Sequence, residues 1–142
     1  MLKVEHGKQA ELIEQARFVR ATVFIHEQGI APELEYDDLD PACTHFVGTV
    51  EGEPVTTARL RPIGDGVGKV ERVATLATAR GNGYAKEIMF AIESVARASA
   101  LRELKLGAQL TALPFYERLG YEAYGDEFLD ADIPHRMMKK TW

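Results

Sequence analysis

The chain has 142 residues, 46% hydrophobic and 27% charged, proportions that suit one folded domain burying its own core and exclude a disordered chain. Its formal net charge of −5 argues against nucleic acid as the main partner, because phosphate binding needs a basic face. The single cysteine, Cys43, allows no intrachain disulfide, the N-terminal stretch lacks the apolar core of a secretory signal, and no apolar run reaches membrane-spanning length, so a cytoplasmic protein without membrane contact is expected.

Leu2 to Val4 reads as a short strand. From Gln9 to Gln28, the residues Leu12, Ala16, Val19 and Val23 recur at helical spacing, with Ile13 and Phe24 beside that stripe, and Gly29 supplies a stop. Glu33 to Ala42 is acidic and turn-rich, and is expected to lie exposed. Thr44 to Val50 and Val55 to Leu60 read as two strands of a hairpin with Gly52 in the turn, and Lys69 to Leu76 as a third strand.

Tyr84 to Ala100 predicts an amphipathic helix with Ile88, Ile92, Val95 and Ser99 on one face. Leu104 to Gly107 is a short strand. Leu113 to Leu119 is a short helix with Pro114 in its first turn, where the missing amide costs nothing, and Gly120 at its end. Tyr121 to Tyr124 and Arg136 to Lys140 complete the strands. The order β-α-loop-β-β-β-α-β-α-β-β predicts an α/β fold, a single domain over residues 1–142 with a central mixed sheet and helices on its faces.

Between the third strand and the long helix lies Arg80-Gly81-Asn82-Gly83-Tyr84-Ala85. A helix start offers free amides and the positive end of the helix dipole, glycines let an anion approach the backbone, and Arg80 can add a charge-assisted bond to a phosphate. A dinucleotide fingerprint would need a third glycine where Lys86 stands, although Glu103 lies at about the distance of a ribose carboxylate. No Walker A loop occurs. Taken alone, the turn fits either a plain strand-to-helix connection or an anion seat.

The turn has company. Arg80 to Ala85 resembles the R/Q-x-x-G-x-G/A pattern of the GNAT superfamily of acyl-CoA-dependent N-acetyltransferases, and Pro114-Phe115-Tyr116-Glu117-Arg118-Leu119-Gly120-Tyr121 is similar to that family's FYxxxGF element. FIHEQGIAPELEYDDLD (24–40) and THFVGTVEGEPVTTARLRP (44–62) resemble the bacterial ElaA- and YjcF-like subgroup. The resemblance covers nearly the whole chain. It implies a GNAT-type α/β sandwich whose mostly antiparallel sheet splays into a V and binds acetyl-CoA in the cleft, with no metal; the four histidines also lack ligand-like spacing.

By the matched positions, the main chain of Val73, Ala74 and Thr75 would pair with the pantetheine arm like an added strand. The amides of Arg80, Gly81, Asn82, Gly83, Tyr84 and Ala85 would hold the pyrophosphate, and Gln109 would face the CoA arm. Ala77-Thr78-Ala79 departs from the commoner proline-containing approach to the turn, and Gly107 stands where the subgroup often has histidine.

Acetyl transfer from a thioester to an amine needs a neutral amine, donors for the tetrahedral oxyanion, and a proton for the leaving thiolate. A lysine-like amine of pKa about 10.4 is roughly one part in a few thousand neutral at pH 7, a cost of about 4–5 kcal/mol. The resemblance makes Tyr116 the general acid toward the thiolate and puts an oxyanion donor at an amide near Val73. For the base, Glu71 lies on the strand before the turn and shares the strand parity of Val73, with Arg72 opposite. Glu27 and His45 are further candidates, as base or as contacts to the amine, and His135 on the last strand fits either another base or a partly buried imidazole satisfied by backbone.

The acidic run from Glu33 to Asp40 fits either a solvated face or a border of the amine site. The expected partners are acetyl-CoA and a small amine, with a homodimer left open. Two other functions also stay open: a non-catalytic acyl-CoA-binding or sensing domain, and acetylation of a protein or peptide.

Overall fold

A computed structural model describes all residues from Met1 to Trp142. Seven strands form one sheet in the spatial order β1-β2-β3-β4-β5-β7-β6. They are β1 (Leu2–Gly7), β2 (Thr44–Val50), β3 (Glu53–Gly64), β4 (Val67–Thr75), β5 (Glu103–Gln109), β6 (Glu122–Asp130) and β7 (Ile133–Thr141). Only β4 and β5 run parallel; every other neighbouring pair is antiparallel. The parallel pair needs a crossover, and α3 (Tyr84–Ala98) supplies it.

The expected helical stripe is confirmed. Leu12, Ala16, Val19 and Val23 are all buried, packing with Val47 and Ala74 on one face of the sheet. The helix itself is not uniform. α1 covers Ala10–Arg20 and then widens into a π-helix over Ala21–Glu27, where the Gln28 amide donates to the Val23 carbonyl, five residues back. The Thr22 hydroxyl donates to the Phe18 carbonyl at 2.9 Å, and β-branched Thr22, Val23 and Ile25 crowd this turn.

On the opposite face α3 buries Ile88, Met89, Ile92 and Ala96 against Phe46, Leu60, Val70, Leu104, Leu106 and Met138. α4 (Leu113–Arg118) closes one end of that core with Tyr116.

One expectation fails outright and a second holds only in part, for reasons in the backbone and the packing. A bulge breaks the side-chain alternation expected along the third strand. The β3–β4 register slips between Thr57 and Arg59, and Arg72 sits there at φ 57°. A non-glycine residue in the left-handed region costs about 1–2 kcal/mol. The bulge turns the strand so that Glu71 and Arg72 both reach the face carrying the acidic loop, while Val73 packs on the α3 side.

The acidic loop lies mostly exposed, as expected, but two of its carboxylates do not. It contains the single-turn α2 (Pro32–Glu35) and a 3₁₀ turn at Asp40–Ala42, and it delivers Glu35 and Asp40 to buried arginines. Arg20 Nε bonds Glu35 Oε1 at 2.6 Å, and Arg20 and Arg59 each donate to Asp40 Oδ1 at 2.8 Å. Arg59 also grips Asp37 through two bonds of 2.9 and 2.7 Å.

Candidate active site

The β4–β5 ladder covers only Val67–Val70 against Glu103–Leu106. Beyond Val70 the strands part, since β4 follows its bulge while Gly107, Ala108 and Gln109 stay paired to β7. Between them opens a cavity of about 340 Å³, walled by Lys69 to Val73 of β4, Leu106 to Gln109 of β5, Tyr116, and the β6–β7 pair around Phe128 and His135. Gly107 lines the opening, where a Cβ would meet the Phe128 ring at 3.4 Å, an ordinary van der Waals contact.

Four of the expected site residues meet in this wall: Glu71, Val73, Gln109 and Tyr116. Tyr116 is 7% exposed, and its ring is held edge-on between Phe115 at 4.9 Å and Tyr121 at 5.9 Å. Burial alone pushes its phenol above the ordinary value, so the hydroxyl is a proton donor at neutral pH. Gln109 Nε2 donates to Gln28 Oε1 at 3.2 Å, tying β5 to the end of the π-helix.

Glu71 lines the cavity but is heavily engaged. Arg61 holds its two oxygens at 2.9 and 3.2 Å, Arg59 lies at 3.3 Å and Lys69 at 3.7 Å. Burial by itself would raise the carboxyl, but these cations together hold it below the usual carboxylate range. A carboxylate so stabilised is a weak acceptor for an ammonium proton.

Of the three residues expected to offer main chain, only Val73 lines the cavity. The Ala74 carbonyl accepts from Thr56 Oγ1 at 3.1 Å, and the Thr75 carbonyl from Arg80 Nε at 3.1 Å.

The glycine turn forms a backbone cradle displaced by one residue from its expected place. The Arg80 amide bonds the Ala77 carbonyl at 3.4 Å. The amides of Gly81, Asn82, Gly83, Tyr84, Ala85 and Lys86 have no acceptor in the protein. Gly81 and Gly83 sit at φ 83° and 76°, which lets successive amides converge, and Asn82 Nδ2 fixes the loop on the Ala79 carbonyl at 3.0 Å. This donor set, at the start of a 15-residue helix, fits a pyrophosphate. The Arg80 side chain already has a partner, since its guanidinium binds both oxygens of Glu27 at 2.6 and 2.7 Å. Hydrogen bonds from Arg80 lower the Glu27 carboxyl, so Glu27 is not poised as a base.

His45 does not belong to the site. Its ring is completely buried, Nε2 lies 2.8 Å from the Asp40 carbonyl, and burial lowers its pKa. The strand that it heads brings the ring under the acidic loop, out of reach of any substrate.

The far wall of the cavity comes from β5, β6 and β7. Phe128, His135 and Gln109 lie opposite one another across β6, β7 and β5, so their side chains form one row facing the cavity. Only the pairing of β7 between β5 and β6 creates that row. His135 lies in the chain beyond both earlier motifs, with no local signature.

Residues 8–142 match the family described as "Acetyltransferase (GNAT) domain". The chain is 38% identical over 140 residues to the uncharacterized N-acetyltransferase YjcF of Bacillus subtilis, covering 98% of this chain and 99% of that one. Its fold is similar to that of an acyl-CoA N-acyltransferase from Pseudomonas aeruginosa, with a TM-score of 0.87 and 25% identity over 99% of this chain and 100% of the other. The fold of Escherichia coli ElaA is also shared, with a TM-score of 0.88 and 21% identity over 99% of both chains.

Proposed function

The chain belongs to the GNAT acetyltransferase family, and from that premise we propose that it transfers the acetyl group of acetyl-CoA to the primary amine of a small molecule by direct attack in a ternary complex. The observation carrying this reading is the joining, along one splayed strand and its following turn, of a cradle of unpaired amides and a cavity holding a protonated, buried tyrosine.

In this scheme the amides of Gly81 to Lys86 bind the pyrophosphate, and the β4 edge at Val73 aligns the acyl arm and offers a donor to the developing oxyanion. Arg80 acts through Glu27 and the Thr75 carbonyl, bracing the turn rather than binding phosphate. Tyr116 gives its proton to sulfur as the carbon–sulfur bond breaks. The cavity wall, part apolar and part charged, suits a small amine better than a folded protein surface. No helix of the chain is long and apolar enough to cross a membrane.

Thiol release from acetyl-CoA over a panel of amino sugars, polyamines and amino acids tests this directly. Turnover on one class supports it. CoA binding without turnover on any amine replaces it with a sensing role, and absence of CoA binding overturns both. The cradle makes its own prediction. Gly83→Ala forces an alanine into the left-handed region where its Cβ meets nothing within 4 Å, so the penalty of about 1–2 kcal/mol is purely conformational. CoA affinity by calorimetry is expected to fall about 5- to 30-fold, with Gly83→Asn closer to the parent because asparagine tolerates that conformation.

A further inference from the structure

We propose that His135 is the general base that removes the proton from the acceptor ammonium, an assignment that rests on the acetyl-transfer reading of this cavity. Of the nearby carboxylates, Glu71 is held by Arg61, Arg59 and Lys69, Glu35 is bonded to Arg20, Glu27 is clasped by Arg80, and Asp130 is exposed to solvent at the end of β6. His135 is differently placed. It lines the cavity and is 8% exposed. Its Nδ1 lies 2.6 Å from the Ile133 carbonyl. A carbonyl can only accept, so Nδ1 carries the hydrogen and the neutral ring keeps its lone pair on Nε2.

That Nε2 has no partner in the protein, and unlike Nδ1 of His45 it is not sealed away from the cavity. The Phe128 ring stacks on the imidazole at 5.7 Å and 29°, fixing its plane, and Gln109 stands opposite on β5. One face of the site thus holds an oriented proton acceptor, and Tyr116 supplies the donor.

The proton balance closes. Nε2 takes one proton from the ammonium and becomes imidazolium. The freed amine lone pair forms the carbon–nitrogen bond at the thioester carbonyl. The tetrahedral oxyanion collapses with loss of the carbon–sulfur bond, and the sulfur receives the Tyr116 proton. The phenolate regains a proton from the N-protonated amide, and imidazolium releases its proton to solvent, one per turnover. The charged and titratable groups that line the same cavity are Lys69, Glu71 and Arg72 from β4, Glu35 from α2, Tyr116 from α4 and Asp130 from the end of β6.

The test uses the full chain with the best amine from the panel. His135→Gln is expected to lower kcat/KM about 10²- to 10⁴-fold, with CoA affinity within threefold of the parent. In the parent, kcat/KM should fall as pH decreases, and that acid limb should vanish in the variant. Added imidazole should partly restore His135→Ala. Independently of any acceptor, ¹⁵N NMR of the neutral ring should show hydrogen on Nδ1. A variant with parental activity, a limb that persists without the histidine, or hydrogen on Nε2 overturns the assignment of His135 alone. A parent inactive on every amine overturns the transfer reading as well. A purely structural bond to Ile133 would leave the pH limb and the imidazole response unmoved.

Discussion

Tyr116→Phe is expected to lower kcat about 10²- to 10⁴-fold while changing CoA affinity by no more than a few fold. Only one oxygen is removed. The ring keeps its edge-on contacts to Phe115 and Tyr121 and its place at the end of the α3 core, so folding is spared. In the proposed transfer, the loss belongs to the step in which the thiolate leaves. Burial raises the phenol above its ordinary value of about 10, so the acid form dominates throughout the neutral range. Activity should therefore show no alkaline loss from this group below about pH 10. An unchanged kcat would mean that the hydroxyl only packs against the acyl arm, and a rise in KM alone would mean that it only binds.

Asp40→Ala is expected to cost about 3–5 kcal/mol of stability, a fall in Tm of roughly 10–20 °C for a domain of this size. Arg20, Arg59 and Asp40 are each 1% exposed. Asp40 accepts from both arginines through Oδ1 and from Arg17 through Oδ2 at 3.0 Å. Without it, two buried guanidiniums keep only Glu35, Asp37 and Glu71 as counter-charges, and the desolvation cost is no longer offset.

The same network sets the acid limit of the fold. Burial would raise the Asp40 carboxyl, but Arg20 and Arg59 pull it down to about 2, and bonds from Arg59 lower Asp37 further. Both are depressed relative to the unfolded chain, so their contribution is complete above about pH 4 and drains away as pH falls toward 2. Asp40→Asn should flatten that part of a Tm-against-pH curve. A variant as stable and as acid-sensitive as the parent would show that the network is dispensable.

Much of the fold was legible because it depends on local periodicity. Leu12, Ala16, Val19 and Val23 mark one buried stripe, Ile88 and Ile92 another, and both packed as their spacing implied. The glycine turn was legible for a similar reason, since positive φ at Gly81 and Gly83 and the start of α3 are properties of a few adjacent residues. The charged residues were not. A run such as Glu33 to Asp40 has the composition of a solvated face. Nothing local reveals that Arg20 and Arg59, 20 residues before Asp40 and 19 after it, will meet that carboxylate in the interior.

His45 and His135 illustrate the same limit from opposite sides. Each is a histidine on a strand, but the β1–β2–β3 pairing and the loop above it seal one ring, while the β5–β7–β6 pairing turns the other to the cavity. The bulge at Arg72 reversed the side-chain parity assigned to β4, because a strand's alternation holds only while each residue has a single partner. By itself the sequence determined the order of elements, the apolar faces and the glycine turn, all set by neighbours within a few positions. Which ionisable groups are buried, paired or open to substrate was decided by the tertiary structure, because charge and solvation depend on groups far apart in the chain that only the folded sheet brings together.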